Sequence, residues 1–93
     1  MSERSLVWRA AAREDLTEII RYIAGRNPAA ARRMRRLIED AVRPLAEHPF
    51  LFHAGRVAGT RELVAHPNYI VVYRVTDDAI EIVSILHARQ QYP

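Results

Sequence analysis

The chain has 93 residues, of which 49% are hydrophobic, and this predicts one small domain over residues 1–93 with a packed core. It contains no cysteine, which excludes disulfide bonds, thiolate metal sites and a cysteine nucleophile. All 14 basic residues are arginine and the net charge is +3, a balance that suits a nucleic acid or an acidic protein as partner.

The first predicted element is a short strand in the sequence SLVWRA, with Leu6 and Trp8 on one face and Val7 on the other. From Ala10 the apolar period changes from two residues to 3.6. Four apolar residues then share one stripe of a helix: Leu16, Ile19, Ile20 and Ile23. Gly25 suits the end of this helix.

A second helix is predicted to begin with Asn27 as N-cap and Pro28 in its first position. Its predicted apolar stripe has six members: Met34, Leu37, Ile38, Ala41, Val42 and Leu45. Arginines occupy much of its remaining surface. Pro44 removes a backbone donor, so the helix is expected to kink or end there. Residues Ala10 to His48 are therefore predicted to form an antiparallel helical hairpin on one face of a sheet.

The second half of the chain is predicted to be mainly β-structure. The loop FLFHAGRVAG leads into a strand near Arg61 to Val64, and His66-Pro67-Asn68 is a turn. The runs Tyr69–Val75 and Ala79–Leu86 form an antiparallel hairpin around Thr76-Asp77-Asp78. Both runs are apolar on both faces, which is typical of central strands that helices cover on one side. The order β-α-α-β-β-β predicts an α+β fold with the hairpin packed on a small, mainly antiparallel sheet.

No segment of the chain looks like a membrane span. The first residues contain acids and no apolar stretch long enough for a signal peptide. The longest uncharged apolar run, Tyr69 to Tyr73, is far shorter than the roughly 20 residues that a span needs. The sequence therefore predicts a cytoplasmic protein that has no contact with a membrane.

Three stretches of the sequence resemble the RelE/ParE superfamily of bacterial toxins from type II toxin–antitoxin pairs. They are AAREDLTEIIRYIA in the first helix, LAEHPFLFHAGRVAGTRELV in the middle and YIVVYRVTDDAIEIVSILHARQ near the end. The resemblance covers nearly the whole chain and includes the predicted order of elements. It implies a RelE/ParE-like fold, no cofactor, and a hetero-oligomer with a ParD-like antitoxin that has an acidic C-terminal segment.

The superfamily has two modes of action, and the resemblance implies one of them for this chain. RelE-like members cut mRNA on the ribosome, whereas ParE-like members inhibit DNA gyrase, a process related to plasmid stabilisation. RNA cleavage by the 2′-hydroxyl needs groups that move protons and stabilise the crowded phosphate. Arg89 matches the arginine that follows the last strand, but Ile70 stands at the position of the strand arginine, and Tyr92 is out of register with the tail tyrosine.

These departures favour the ParE-like mode, with DNA gyrase as target, over a ribosome-dependent endoribonuclease. An inactive homologue that only binds a partner is a weaker alternative. No catalytic residue is assigned firmly. If the chain is a nuclease, four residues are candidates: Arg61, His87, Arg89 and Tyr92.

The sequence offers two sets of candidate binding residues, one for the target and one for the antitoxin. The candidates for contact with the target are Arg56, Arg61, Arg74, Arg89, Gln90 and Tyr92. The candidates for contact with the antitoxin are Arg32, Arg33, Arg36 and Leu37, on the arginine-rich helix. No metal site is predicted, because His48, His53 and His66 are too scattered.

Several of these residues also have plausible structural roles. Arg56 would hold the glycine loop, and Arg61 would pair with Glu62 or with a neighbouring strand. Arg74 lies on a predicted central strand and would pair with Asp77 or Asp78. His87 would bind backbone groups at the end of its strand.

The tyrosines Tyr69 and Tyr73 alternate onto one face of the sheet. They are expected to belong to the core, with hydroxyl groups that reach water.

Overall fold

The computed structural model describes residues 4–90. Its elements in chain order are β1 (Ser5–Trp8), α1 (Ala10–Ala24), α2 (Pro28–Val42), a short 3-10 helix (Arg43–Ala46), β2 (Arg61–His66), β3 (Tyr69–Val75) and β4 (Ala79–His87). The predicted order β-α-α-β-β-β is confirmed, and both helices pack on one sheet.

The four strands form one mixed sheet in the order β1-β4-β3-β2. β3 pairs antiparallel with β2 and with β4, whereas β1 runs parallel to β4. The two runs predicted as central strands are therefore the central strands. β1 pairs with β4 only as far as Trp8 opposite Ile82, so the end of β4 extends beyond its neighbour.

The helical hairpin follows from local signals in the sequence. The side chain of Asn27 accepts a hydrogen bond from the Ala30 N–H at 3.0 Å, and Pro28 occupies the first position of α2. α2 ends at Val42, and the chain tightens into a 3-10 helix that contains Pro44, because proline lacks the N–H that an α-helix would use. The helical segment ends at Ala46, two residues before the predicted end.

The core lies between the helices and the sheet. Its buried members are Ala12, Leu16, Ile38, Val42, Leu45, Leu63, Val71, Tyr73, Ile80, Ile82 and Ile85. Leu6 and Trp8 pack against this core while Val7 is 42% exposed, so the predicted faces of β1 are correct.

One member of the predicted stripe on α2 lies outside the core. Leu37 is 42% exposed, whereas its neighbour Ile38 is fully buried. Successive residues of an α-helix are about 100° apart around the axis, and the buried face of α2 centres on Ile38, Val42 and Ala31. The placement of Leu37 in the buried stripe was therefore wrong.

A β-bulge shapes the end of β4. Tyr73 lies opposite Ile82 but Val72 lies opposite Ser84, so Val83 is the extra residue. After this bulge the N–H of Ile85 donates a hydrogen bond to Asp15 Oδ2 of α1 at 2.9 Å. This bond fixes the end of β4 to the helical layer and so positions the segment that follows.

Within residues 4–90, no helix combines the length and the apolar character that are needed to cross a membrane.

Candidate functional site

The segment after β4 folds into a turn that is held by its own hydrogen bonds. The Ala88 N–H donates to the Asn68 carbonyl at 2.8 Å, and the Gln90 N–H donates to the His87 carbonyl at 2.9 Å. The side chain of Gln90 accepts a bond from the His87 N–H at 3.3 Å. Residues 87–90 thus form an ordered turn at the end of β4, in which the side chains of Ala88 and Arg89 are exposed to solvent, whereas Leu86 before the turn is buried.

His87 takes part in this turn through its ring. Its Nδ1 accepts a hydrogen bond from the Arg89 N–H at 3.2 Å, so the neutral ring carries its proton on Nε2. The ring also meets Tyr69 edge-on, with 5.7 Å between the ring centroids. These contacts agree with the structural role that the sequence left open for His87.

Arg89 is the exposed cation of this turn. Within residues 4–90, its guanidinium makes no ion pair with a carboxylate. Gln90 is also exposed, although its side chain serves the turn. The predicted contribution of Tyr92 lies outside the residues that the structure describes.

The sheet surface beside the turn is apolar. Ile70 of β3 lies between Val64 of β2 and Leu86 of β4 in the strand register. Its neighbour Val71 faces the helices, so Ile70 faces the opposite side of the sheet. Ile70, which stands where RelE-like nucleases are expected to have the strand arginine, therefore lies in a row of aliphatic side chains.

The glycine loop before β2 is held by an ion pair between a buried carboxylate and a half-exposed arginine. Glu62 is only 6% exposed, and Arg56 contacts its carboxylate with the backbone N–H at 2.9 Å and the guanidinium at 3.2 Å. Gly59 has a φ of +82°, and a Cβ on Gly55 would overlap the hydroxyl of Thr60, so both glycines are required by the loop. Arg56 thus has the structural role that the sequence offered as an alternative.

The stability that this loop gives to the fold depends on pH through the ionisation of Glu62. Burial by itself raises the pKa of the Glu62 carboxyl, but the bonds and charge of Arg56, with the charge of His53, outweigh burial and hold the pKa below its ordinary value. Because the folded pKa is lowered, this group stabilises the fold above its unfolded pKa, and the stabilisation is lost as the pH falls through the folded pKa.

We expect Glu62→Gln to reduce the free energy of unfolding more at pH 7 than at pH 3, since the variant lacks the charge whose interaction acid removes. Urea denaturation of both proteins at the two pH values measures this difference. An equal loss at both pH values would show that the charge of Glu62 does not stabilise the loop.

Arg61 lies on the other face of the sheet from Glu62, because adjacent residues of a strand point in opposite directions. Its guanidinium donates to the Phe52 carbonyl at 2.6 Å and lies 4.9 Å from the centre of the Phe50 ring. Arg4 approaches the same ring at 5.6 Å. The suggested pairing of Arg61 with Glu62 was therefore wrong, and Arg56 and Arg61 do not face a common ligand.

Two other structural expectations also fail. Arg74 is exposed on the face away from the helices and, within residues 4–90, forms no ion pair with Asp77 or Asp78. Tyr73 is fully buried and its hydroxyl donates to the Pro49 carbonyl at 3.2 Å, so it does not reach water. Burial raises the pKa of this hydroxyl.

The arginine-rich surface of α2 contains both paired and unpaired cations. Arg35 pairs with Glu39 at 3.7 Å and Arg43 pairs with Asp40 at 2.7 Å. Three exposed arginines have no ion pair within residues 4–90: Arg32, Arg33 and Arg36. Arg33 lies one turn before the exposed Leu37 on the same side of the helix, so this part of α2 combines positive charge with an apolar side chain.

The histidines do not form a metal site. Within residues 4–90, no group of three histidine or acidic side chains is arranged to hold a metal ion. Sequence reasoning missed two residues that shape the site, Asp15 and Glu62. An acid directly beside an apolar strand, as in TRELV, was the available signal for Glu62, whereas nothing local indicates that Asp15 meets Ile85.

The fold is that of a toxin from a type II toxin–antitoxin system. Residues 6–92 match the family model described as the ParE toxin of the type II toxin–antitoxin system parDE, and the chain belongs to this family. It is 43% identical over 94 residues to a putative toxin, Y4kP, of Sinorhizobium fredii, covering 100% of this chain and 97% of that protein. It is 42% identical over 90 residues to toxin RelE2 of Caulobacter vibrioides, covering 95% and 97%.

Solved structures agree with this assignment. The chromosomal ParDE system of P. aeruginosa contains a chain with a TM-score of 0.82 and 25% identity, matched over 91% of this chain and 96% of that one. The toxin–antitoxin complex RelBE2 of Mycobacterium tuberculosis gives a TM-score of 0.62 at 20% identity, over 91% and 98%, and shares the fold.

Proposed function

We propose that this toxin inhibits DNA gyrase and does not cut RNA. The observation that carries the proposal is the position of Ile70, between Val64 and Leu86 on the sheet surface beside the turn. Cleavage of RNA through a 2′-hydroxyl develops charge on the phosphate, and enzymes stabilise that charge with fixed cations or hydrogen-bond donors. Val64 and Ile70, beside the strand that leads into the turn, offer an aliphatic surface for protein contact instead.

The hydrogen bonding of His87 supports the same conclusion. Its Nδ1 already accepts the Arg89 N–H, and within residues 4–90 neither ring nitrogen contacts a carboxylate that would orient it for proton transfer. The turn is therefore a recognition surface in which Arg89 contacts the target and His87 holds the backbone.

Expression of the toxin in cells tests this proposal. We expect double-strand breaks and a DNA-damage response while mRNA stays intact, because a trapped gyrase leaves broken DNA. Primer extension on mRNA and a reporter of DNA damage measure the two effects in one culture. Cuts in ribosome-bound mRNA without DNA damage would favour the endoribonuclease alternative.

The partner that neutralises this toxin is, in our proposal, a ParD-like antitoxin. The solved relatives of P. aeruginosa and M. tuberculosis come from toxin–antitoxin systems. The free arginines on α2 suit the acidic C-terminal segment of such an antitoxin, and Leu37 suits an apolar anchor. An antitoxin bound tightly at this face would also stabilise the folded toxin by mass action.

The double variant Arg33→Glu, Arg36→Glu should weaken binding of the antitoxin by about tenfold or more, because both reversed charges would repel its acids. Isothermal titration calorimetry with the purified antitoxin measures the change. The matched control is Arg13→Glu, Arg21→Glu, which reverses two exposed arginines of α1. Equal losses in both variants would show that net charge matters and that the α2 face has no special role.

A further inference from the structure

Three rings lie side by side at the end of the sheet that carries the turn after β4. His66 of β2, Tyr69 of β3 and His87 of β4 are cross-strand neighbours in the register of the sheet. The centroid of the Tyr69 ring lies 5.8 Å from that of His66 and 5.7 Å from that of His87. His66, which has no role in the proposed contact with the target, thus belongs to the surroundings of the turn.

The two histidines accept the same kind of hydrogen bond. The Nδ1 of His66 accepts the N–H of Asn68 at 3.0 Å, and the Nδ1 of His87 accepts the N–H of Arg89 at 3.2 Å. Each donor lies two residues further along the chain, so each ring closes its own turn. The two turns are also joined, because the Ala88 N–H donates to the Asn68 carbonyl at 2.8 Å. His66 therefore supports the carbonyl to which the turn after β4 is bonded.

Both bonds require a neutral ring. An imidazole nitrogen accepts a hydrogen bond through its lone pair, and protonation of the ring makes both of its nitrogens donors. A protonated His66 or His87 would therefore point one N–H at another N–H. The ring would turn away, and its turn would lose the bond. Histidine is the side chain that gains this charge as the pH falls from about 8 to about 5.

The surroundings of the two rings can accommodate the charge. The titratable groups that share a groove with His87 are Asp15, Glu18, Tyr22 and Tyr69. A protonated His87 that turns away from the Arg89 N–H can face the two carboxylates of this set, and it would repel the Arg89 guanidinium. His66 has Tyr69 against its ring. Within residues 4–90, neither histidine forms an ion pair that would fix its charge in the present arrangement.

We propose that His66 and His87 are positioning residues that hold the turn after β4 only while both rings are neutral, so that the toxin presents Arg89 less well as the pH falls. The contact of Arg89 with gyrase rests on the proposed function, whereas the loosening of the turn does not. Glu62 keeps its charge over this range, because its pKa lies below its ordinary value. The loop before β2 therefore stays intact while the two turns loosen.

Hydrogen exchange measured by NMR tests the role of the two rings. Over the pH range in which the histidine ring signals titrate, the protection of the Asn68 and Arg89 amides should fall about fivefold, the factor that one ordinary hydrogen bond supplies. The Ala30 amide is the control, since it donates to the side chain of Asn27, which does not titrate. Constant protection of Asn68 and Arg89 while both rings become protonated would overturn the proposal.

Replacement by asparagine separates the acceptor from the charge. The oxygen of an asparagine side chain accepts the N–H two residues further along the chain, and it does so at any pH in this range. In His87→Asn the Arg89 amide should keep its protection in acid. An acid response in this variant equal to that of the wild type would show that another group senses the pH.

Two further variants test whether His66 acts on the turn after β4. His66→Ala should lower the protection of the Ala88 amide at about pH 7.5, and His66→Asn should restore it. The control is His53→Asn, because His53 Nδ1 lies 2.9 Å from the Ala54 carbonyl and keeps that contact when the ring is protonated. An Ala88 amide that is unaffected by His66→Ala would refute the positioning role of His66.

Inhibition of purified gyrase connects the pair to the proposed function. Between about pH 8 and pH 6, the amount of toxin for half inhibition should rise at least about twofold more for the wild type than for the variant His66→Asn, His87→Asn. The comparison cancels the response of gyrase itself to pH. An equal rise would overturn the link between the turn and Arg89 binding. If neither toxin inhibits gyrase at any pH, the proposed function fails, while the exchange measurements still decide whether the histidines hold the turn.

Discussion

Replacing Arg89 with alanine is expected to reduce toxicity about 30-fold or more, measured as the level of induced toxin that halves the growth rate. Arg89 is exposed, forms no ion pair within residues 4–90 and stands on a turn that its neighbours hold in place. A charged anchor at the centre of a protein interface contributes about 2 kcal/mol or more, which corresponds to this change in affinity. The turn itself remains, because its bonds use the backbone of Arg89 and not its guanidinium.

The matched variant is His87→Gln, which should retain most of the toxicity. Glutamine keeps a hydrogen-bonding side chain near the Arg89 N–H, and the proposed mechanism requires no proton transfer. Both variants should unfold at the temperature of the wild type, because both positions are exposed. Loss of toxicity in His87→Gln, with Arg89→Ala still active, would show that the turn is a catalytic site.

Replacing Arg56 with alanine is expected to reduce the free energy of unfolding by about 3 kcal/mol, because it leaves the buried carboxylate of Glu62 without its cation. Glu62 is 6% exposed and Arg56 supplies the charge-assisted bonds that hold it. Urea denaturation at pH 7 measures the loss. If Arg56→Ala also lowers toxicity, the decrease should be proportional to the loss of stability, because Arg56 holds the loop before β2 and is not expected to contact the target.

The control for this variant is Arg74→Ala, which removes an exposed arginine from β3 and should change stability by less than about 0.5 kcal/mol. The double variant Arg56→Ala, Glu62→Gln should recover part of the lost stability, because it removes the unpaired charge as well. A small effect of Arg56→Ala alone would mean that water or another group compensates Glu62, and the ion pair would then not hold the loop.

Most of the fold could be predicted from periodicity and from local breakers. The change of period at Ala10, the Asn27-Pro28 start and Pro44 locate the helices within a few residues. The two runs that are apolar on both faces are the central strands of the sheet. These features depend on residues that are close in sequence, so a sequence pattern is sufficient to find them.

The rest depends on contacts between distant residues. Leu37 and Ile38 are both apolar, and only the direction in which α2 packs decides that Leu37 is exposed. Two arginines, Arg56 and Arg61, precede Glu62 within six residues, and the loop geometry selects Arg56 while strand alternation excludes Arg61. The bond from Ile85 to Asp15 joins residues 70 positions apart, and the bulge at Val83 depends on how β4 pairs with β3.

The turn after β4 was likewise predicted only in part from the sequence. The sequence identified Ile70 and Arg89 as the informative pair, and the structure places Ile70 in a row of aliphatic side chains next to the strand that leads into the turn. The partners of His87 within the turn could not be predicted, because they depend on how the chain bends after its last strand.

Purified toxin incubated with DNA gyrase, ATP and plasmid is the most direct test of the account. We predict that the toxin blocks supercoiling and leaves gyrase trapped on cleaved plasmid, that His87→Gln does the same, and that Arg89→Ala does so only at about 30-fold higher concentration. The opposite result is unaltered supercoiling by gyrase together with cutting of ribosome-bound mRNA that His87→Gln abolishes. That result would identify the turn after β4 as the active site of a nuclease and contradict the proposed function.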